Sequence, residues 1–416
     1  MKPAHPSAPA PVTPSADRRL GLWLVGARGS ISTCLVYGLH GLREGSLAPT
    51  GLCTARGPFA DLRLREFSQI VLGGHDVCTR SLSESARELV ENGILPPALV
   101  ESGSHWAAAY ESRLRPGTLD GPDVGFADLD PRSAQLSARS PREQALQLAR
   151  DIEEFRQRER LERVVVVYAA STEAWRAPDP AWEEWSRFEA ALDGGAAQPA
   201  SLLYAYAAFQ AGAAFVNFTP NLGSSVPALR ELARQKRLAH CGNDGKTGET
   251  LIKTVLAPMF AARNLKVLAW QGYNILGNRD GQVLSESTHR ASKVRNKNEA
   301  LRSLLGDEQV HTHVGIDYVP SLQDWKTAWD FIHFEGFLGA RMSLQFTWTG
   351  SDSALAAPLV LDLVRLVDHA AGKGEFGELG WTAPFFKAPL AGGSHDFHLQ
   401  FQGLLEHVQS WLKPQV

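Results

Sequence analysis

The most constraining feature of this chain is an unbroken β-branched run, R-V-V-V-V-Y, at residues 163–168, followed by A-A-S-T-E. A strand with one solvated face alternates apolar and polar side chains, whereas a continuous apolar run is typical of a parallel strand buried on both faces. A second run, A-F-V-N-F, follows at 213–218 after helical patterns near 176–190 and 200–212. Strands that alternate with helices indicate βαβ units. We therefore expect an α/β fold with a doubly wound parallel sheet.

A glycine turn near the amino terminus predicts a dinucleotide site. The apolar run G-L-W-L-V-G at 21–26 leads into G-A-R-G-S-I-S-T and then into a helix of apolar period. Gly26 and Gly29 would let the backbone approach a pyrophosphate, and the helix N-terminus supplies free N–H groups. The pattern is G-x-x-G-x-x-S instead of G-x-G-x-x-G, so a plain tight turn stays open as the alternative. The acidic residue expected about 20 positions further on is missing, which argues against a standard two-substrate dehydrogenase.

Two further strand ends carry polar residues. Asp76 ends the apolar run at 69–77, and it either contacts a ribose or caps the helix expected near 80–91. Ala170, Ser171 and Thr172 lie just past the strand at 163–168, where open α/β sheets bind ligands. Between these elements, residues 113–142 show low periodicity and predict an excursion of loops.

The stretch from 242 to 298 sets short polar loops between well-patterned elements, which is where function usually lies. It opens with G-N-D-G-K-T-G-E-T, and a phosphate loop is disfavoured because a histidine stands where that motif needs its first glycine. Asp244, Lys246 and Thr247 still precede a helix expected at about 248–262, where an anion or cofactor can dock. Lys293 and Lys297 are four apart, so on a helix they share one face, which is either a functional face or a solvated one.

The last quarter of the chain adds more charged residues to these loops. Asp324 and Lys326 are expected just before or in a helix, and Ser351 or Asp352 is expected to cap a long helix that follows the strand at 341–349. Lys387 stands in an apolar, proline-bounded segment, and an amphipathic helix at about 396–412 ends the chain.

Two histidines and the four cysteines set limits on metal binding and compartment. His311 and His313 would share the exposed face of an alternating strand, and a metal pair needs a third ligand that is not in view. The cysteines include no C-x-x-C pair, so we interpret them as reduced thiols of a cytoplasmic protein and predict no metal site from the residues.

Bulk composition excludes several classes of protein. The 416 residues suggest two or three domains, and a net charge of -3 gives no electrostatic basis for binding nucleic acid or an anionic membrane. No apolar run approaches the roughly 20 residues of a membrane span. Residues 1–17 are Pro/Ala-rich and predict a disordered tail without the pattern of a secretory signal.

Taken in order, the motifs of this chain resemble the myo-inositol-1-phosphate synthase family. The resemblance spans most of 20–392 and lies in L-G-G-H-D, A-S-T-E, N-F-T-P-N, G-N-D-G-K-T-G-E-T, Y-N-I-L-G-N-R-D-G, S-K-V-R-N-K-N, Q-D-W-K, S-D-S-A-L-A-A-P-L-V-L-D-L and F-F-K-A-P-L. It implies a cytoplasmic homotetramer that converts glucose 6-phosphate to inositol 1-phosphate with NAD bound but not consumed. It leaves open whether a monovalent or divalent cation takes part.

The resemblance also implies a division of the chain and a set of site residues. A Rossmann-like NAD-binding domain, 18–250 plus 356–416, would be interrupted by an α+β catalytic and tetramerisation domain at 251–355, with the final helices returning to the first part. The family's catalytic residues fall on Lys293, Lys297, Lys326, Lys387, Asp244, Asn278, Asp280, Asp324 and Asp352. Its cofactor contacts fall on Gly26, Ala27, Arg28, Gly29, Ser30, Asp76, Ala170, Ser171, Thr172, Asn217, Asp244, Thr247, Asp352 and Ser353.

The implied reaction explains why lysines are needed. C5 is oxidised, the ketone acidifies the C6 proton, the enolate attacks the C1 aldehyde, and C5 is reduced again. A charged lysine stabilises a developing oxyanion, and a crowded, desolvated lysine can act as a base. The alternatives are an NAD-dependent oxidoreductase or cyclase acting on another sugar phosphate, and a non-catalytic NAD-binding regulator, which would have no need of four lysines.

Overall fold

The computed structural model describes residues 18–119, 128–277, 305 and 310–413. The strands are β1 (Leu20–Val25), β2 (Ile70–Asp76), β3 (Leu114–Pro116), β4 (Arg163–Tyr168), β5 (Ala214–Asn217), β6 (Ala239–Cys241), β7 (Lys266–Leu276), β8 (His311–Tyr318), β9 (Trp325–Glu335), β10 (Arg341–Ser351) and β11 (Gly377–Glu378). The helices are α1 (Ser30–Arg43), α2 (Leu82–Glu91), α3 (Pro97–Ser102), α4 (Ser104–Glu111), α5 (Pro131–Ser137), α6 (Pro141–Arg158), α7 (Trp185–Asp193), α8 (Ala200–Gln210), α9 (Pro227–Gln235), α10 (Gly248–Ala262), α11 (Asp352–Gly372) and α12 (Phe397–Leu412).

The larger sheet has the predicted doubly wound topology. Its seven strands run in the order β11-β6-β5-β4-β1-β2-β3, and every neighbouring pair is parallel. The strand order reverses at β1, which lies between β2 and β4. The crevice at such a reversal is where open α/β sheets bind ligands, at the carboxyl ends of the strands. The fold class expected from the β-branched runs is therefore confirmed.

The core of this sheet follows from the alternation of its strands. Leu22 and Leu24 of β1 face a cluster that contains helices α1 and α11, whereas Trp23 and Val25 face a cluster that contains α6, α8 and α9. Strand β4 is buried over five of its six residues for the same reason. Apolar side chains on both faces need a cover of helices on each side, and this is why the β-branched runs form a parallel sheet.

The smaller sheet has the order β10-β9-β7-β8. Strand β9 is antiparallel to both β7 and β10, and β7 is parallel to β8. One face packs on α10 through Phe260, Trp270 and Ile332, and the other face carries exposed aromatic residues. The sheet follows α10 in the chain, and α11 then leads back to the core of the larger sheet.

Two local expectations were wrong. Lys326 lies in strand β9 and not in a helix, because Ala328, Asp330 and Ile332 alternate at period two and are buried between neighbouring strands. Residues 113–142 are also not all loop, since they contain β3 and α5 and the start of α6. The expected tail at 1–17 lies outside the described residues. Within the described part of the chain, no helix has the length and apolar character to cross a bilayer.

Candidate active site

The turn between β1 and α1 has the geometry that a pyrophosphate needs. Gly26 has φ +86°, and a Cβ there would lie 2.9 Å from the Ala169 carbonyl oxygen. The N–H groups of Gly26 and Ala27 both donate to the His75 carbonyl at 3.1 Å. Gly29 caps α1 without a side-chain hydrogen bond, and the first turn of α1 has no acidic residue. The helix N-terminus thus keeps its donors and its positive dipole end for an anion, which fits a dinucleotide.

Asp76 supports this turn and does not cap a helix. Its carboxylate accepts hydrogen bonds from the N–H of Arg28 at 2.6 Å and of Cys78 at 2.9 Å. Ser81 caps α2 instead, accepting from the Glu84 N–H, so the helix-cap alternative for Asp76 was wrong. Burial raises the pKa of Asp76. A ribose contact by Asp76 stays a prediction.

The Arg28 side chain is held by the protein. Its guanidinium donates to the Arg80 carbonyl and lies 3.0 Å from Glu111 Oε1. The backbone of Arg28 is part of the glycine turn, and its N–H donates to Asp76. We therefore expect any cofactor contact of Arg28 to come from its backbone.

The loop after β4 is fixed by two residues that the sequence reasoning did not single out. Asn221 donates to the Ser171 carbonyl at 3.0 Å and accepts from the Glu173 N–H at 2.8 Å. The Glu173 carboxylate accepts from the backbone and the hydroxyl of Ser201, both at 2.7 Å. Thr172 is 8% exposed within this loop. The motifs A-S-T-E and T-P-N end in Glu173 and Asn221, so the sequence did contain a signal for both residues.

Asp324 joins the smaller sheet to the glycine turn. Its carboxylate accepts from the Ser351 hydroxyl at 2.7 Å and the Ser353 hydroxyl at 3.1 Å. Burial raises the pKa of Asp324, and the hydroxyls of Ser351, Ser353 and Ser30 oppose that rise, so Ser30 of α1 lies close to this carboxylate. The predicted site residues Ser30, Asp324 and Ser353 thus come together where the two sheets meet.

A second link runs from α10 through α11 to β9. The Thr247 hydroxyl donates to Asp352 Oδ1 at 3.0 Å, and Lys326 Nζ lies 3.5 Å from Asp352 Oδ2. Ser351 caps α11 by accepting from the Ala354 N–H at 3.1 Å. The capping question between Ser351 and Asp352 is settled in favour of Ser351, which leaves the Asp352 carboxylate to its contacts with the lysine and the threonine.

A third link pairs Asp244 with Lys387. Lys387 Nζ lies 2.9 Å from Asp244 Oδ1, and the Lys387 N–H donates to the Asp244 carbonyl at 2.7 Å. The preceding Asn243 accepts from the Asn217 side chain at 2.8 Å, so this pair is tied to the end of β5. The segment 242–247 therefore connects the second and third links.

Two further buried polar residues lie near these links: the sequence reasoning did not single out Asn274, and it expected Lys246 beside Asp244 and Thr247 at a docking position for an anion or cofactor. Asn274 is 1% exposed, and neither of its amide atoms has a hydrogen-bond partner among the described residues. It lies opposite Ala328, whose strand also carries Lys326. An unpartnered buried amide is rare and is often explained by a ligand or a water. The motif Y-N-I-L-G-N contained this residue, but only burial distinguishes it from the other amides.

Lys246 is the second of these residues. It is 2% exposed, its Nζ donates to Gln400 Oε1 of α12, and it lies 5.8 Å from the centre of the Phe397 ring. Burial lowers the pKa of Lys246 to about 8. Its neighbours Asp244 and Thr247 face the links above, whereas Lys246 anchors the C-terminal helix.

Four predicted catalytic residues, Lys293, Lys297, Asn278 and Asp280, lie outside the described residues. Their contribution stays a prediction. His311 and His313 are exposed on β8, as their alternation indicates. Across the described ranges, no group of three histidine, cysteine or acidic side chains is placed to hold a metal ion.

The fold and these links define a class: a dinucleotide-binding, doubly wound α/β protein whose second sheet brings Asp324, Asp352 and Lys326 towards the carboxyl edge of the first. The sequence model of one family, described as myo-inositol-1-phosphate synthase with an NAD-binding domain, matches residues 20–412. This chain belongs to the myo-inositol-1-phosphate synthase family.

Relatives and solved structures agree with this membership. Inositol-3-phosphate synthase 1 of Bacteroides thetaiotaomicron is 33% identical over an alignment of 411 positions that covers 92% of this chain and 92% of that protein. Inositol-3-phosphate synthase 1 of Homo sapiens is 32% identical over 72% of this chain, and that match spans 54% of the human protein. The crystal structure of inositol-3-phosphate synthase from Caenorhabditis elegans superimposes with a TM-score of 0.83 at 23% identity, covering 94% of this chain and 86% of the other, and so shares the fold.

Proposed function

We propose that this protein cyclises D-glucose 6-phosphate to 1L-myo-inositol 1-phosphate with bound NAD and no net redox change, the first step of inositol biosynthesis. The observation that carries the proposal is the set of three polar links: Asp324 lies close to Ser30 of the glycine turn, Asp352 pairs with Lys326, and Asp244 pairs with Lys387. A module that only bound a dinucleotide would have no use for lysines paired with carboxylates next to that turn. The names of the relatives point to the same reaction.

The cofactor, when bound, supplies the hydride acceptor and donor for C5. The residues of this chain supply charge and position. Lys326, held 3.5 Å from Asp352, is assigned with Lys293 to the C5 oxygen, and Lys387, held 2.9 Å from Asp244, is assigned with Lys297 to the phosphate or the C1 oxygen. Each carboxylate orients its ammonium and offsets repulsion between converging lysines until the anionic substrate arrives.

The division of the chain is part of the proposal. We assign 18–250 plus 356–416 to NAD binding and 251–355 to catalysis and tetramerisation. Support comes from the exposed face of the smaller sheet, where Tyr273 stacks on Trp329 and Trp329 stacks on Phe331. Tyr273 and Trp329 are 44% and 39% exposed. An aromatic sheet face of this kind is typical of an interface.

The cellular compartment of the protein and its use of a cation are also part of the proposal. All four cysteines are free thiols, which supports a reducing cytoplasm. A monovalent or divalent cation stays part of the proposal. Activity measured after treatment with a chelator and in Na⁺, K⁺ and NH₄⁺ buffers tests this point.

The first experiment incubates the protein with glucose 6-phosphate and NAD. Phosphorus or carbon NMR identifies the product, while absorbance at 340 nm reports NADH. We expect inositol phosphate and no net NADH. Net NADH at roughly one per turnover would instead favour an oxidoreductase on the same scaffold, and tight NAD binding without any product would favour a regulator.

A further inference from the structure

Three buried charged side chains lie where α10 meets β9, apart from the links that form the candidate site. Lys253 Nζ is 2.6 Å from Glu249 Oε1 and 3.2 Å from Asp330 Oδ1. The three residues are 1%, 5% and 0% exposed for Glu249, Lys253 and Asp330. Trp270 Nε1 donates to Asp330 Oδ1 at 2.7 Å. We call Glu249, Lys253 and Asp330 the ion triad.

A contribution to stability does not by itself explain the ion triad. Burial by itself would lower the pKa of Lys253, but the two carboxylates outweigh burial and raise it, so the ammonium is charged at neutral pH. Replacing buried ion pairs by apolar groups of similar shape is often neutral or stabilising. The surroundings are apolar, with Phe260 and Ile332 in the same core. The ion triad therefore calls for a geometric role.

The ion triad connects the same two elements as the candidate site does. Glu249 and Lys253 are one turn apart on α10, and Asp330 lies on β9. Thr247, which caps α10, and Lys326, which lies on the same face of β9 as Asp330, meet through Asp352. Helix α10 is thus tied to β9 at two places, once at its cap and once about a turn further on.

Strand β7 closes the ion triad from the side opposite the helix. Gly272 pairs with Asp330, and a Cβ at Gly272 would lie 2.6 Å from Glu249 Oε1, 2.8 Å from Lys253 Nζ and 3.0 Å from Asp330 Oδ1. The three charged groups lie directly against the backbone of β7, with no space for a side chain at position 272. The height of α10 above the sheet is therefore set by these contacts.

We propose that Glu249, Lys253 and Asp330 are positioning residues that fix the first turn of α10 against β9, and thereby hold Thr247, Asp352 and Lys326 in their catalytic arrangement. The effect on turnover that this proposal predicts rests on the proposed function. An ångström of misplacement at a reacting centre can cost about 10²-fold in rate. Loss of the triad should therefore reduce turnover although none of its members is assigned to the substrate.

The test compares Asp330→Asn with Asp368→Asn in the full-length protein. Asp368 is an equally buried carboxylate that binds Arg65 Nε and Arg163 Nε, each at 2.7 Å, on α11 and away from the smaller sheet. Both variants should lower Tm. We expect Asp330→Asn to lower kcat by at least about tenfold with an unchanged Kd for NAD, and Asp368→Asn to leave kcat unchanged for the folded protein. Equal kcat in the two variants would overturn the proposal.

Two further measurements keep the test decisive. Gly272→Ala displaces the ion triad without removing a charge, so it should lower kcat even if Asp330→Asn does not fold. Hydrogen exchange of the amides at 251–254, which donate to the carbonyls of the first turn of α10, should be faster in the Asp330→Asn and Gly272→Ala variants than in wild type or Asp368→Asn. If the wild type does not convert glucose 6-phosphate, the proposed function fails, and exchange alone decides on the positioning role: unchanged exchange at 251–254 in Gly272→Ala refutes it.

Discussion

At the scale of single residues, the site depends on lysines that are paired before any substrate arrives. Lys326 and Lys387 come from separate segments, and each lies near one carboxylate. Their side chains are 17% and 19% exposed, so the charges are largely removed from water but still accessible to a small anion. Pairing of this kind orients a charge in advance, which is what oxyanion stabilisation requires.

We expect Lys326→Ala to lower kcat by about 10²–10³-fold, since removal of one oxyanion-stabilising donor commonly has this effect. The Kd for NAD, measured by protein fluorescence or calorimetry, should stay within about twofold. Lys266→Ala is the matched control, because Lys266 is an exposed lysine on β7 and should change neither quantity. Near-normal kcat in Lys326→Ala would remove Lys326 from the mechanism.

Lys246 makes a prediction about pH. Burial lowers its pKa from 10.5 to about 8, so between these values the unfolded chain binds more protons than the folded one. The stability that this group contributes must therefore rise with pH across that window. Against Lys246→Met, the wild type should gain up to about 1.4 kcal/mol of unfolding free energy per pH unit from pH 8 to 10. Urea titrations of both proteins at several pH values measure the difference; a constant difference would show that Lys246 stays charged when buried.

At the scale of elements, the turn between β1 and α1 decides whether the larger sheet can bind a dinucleotide. Gly26 combines a left-handed backbone with a close approach to the loop after β4. Neither condition was visible in the degenerate pattern G-x-x-G-x-x-S. Both follow from the parallel pairing of β1 with β4, which brings Ala169 next to the turn.

Gly26→Ala should cost about 1–3 kcal/mol from backbone strain and also abolish measurable NAD binding through the contact with Ala169. Gly45→Ala is a matched control: Gly45 has φ +69° just after α1, and a Cβ there would meet nothing within 4 Å. We expect a similar loss of stability from the control and no change in the Kd for NAD. If the two variants bind NAD equally well, the turn is not the cofactor site.

At the scale of the whole molecule, the smaller sheet has one face on α10 and one face that none of the described residues covers. The uncovered face carries the stacked residues Tyr273, Trp329 and Phe331, beside His313. A buried inner face and an aromatic outer face mean that this sheet can pack on a second copy without rearranging.

Trp329→Glu should therefore convert the proposed tetramer into smaller species, as measured by light scattering after size exclusion, because an unpaired carboxylate would be buried in the interface. Leu146→Glu is the control, since Leu146 is 42% exposed on α6, which packs on the larger sheet, and should leave the mass unchanged. A wild-type protein that is monomeric at micromolar concentration would contradict the assignment of this face.

The sequence by itself determined the larger sheet and most of its helices. A continuous β-branched run is typical of a strand that is buried on both faces, and such strands occur in parallel sheets covered by helices. The parallel sheet could therefore be predicted from local sequence. The prediction from sequence failed at Lys326, because the alternation of β9 was weaker than the apparent helical signal. Pairing with β7 and β10 made this segment a strand.

The candidate site was determined in a different way. The motifs indicated which residues take part in the site, but they did not indicate the contacts between them. Only the structure shows that Asp324 lies close to Ser30, that Asp352 accepts a hydrogen bond from Thr247, and that Arg28 forms an ion pair with Glu111. These contacts join segments up to several hundred residues apart, and no local pattern encodes a distance of that kind. The ion triad and the unpartnered Asn274 are the extreme cases, because burial, and not residue type, is what gives them meaning. Only the tertiary structure sets burial, since it decides which polar groups lose their water and what they meet in its place.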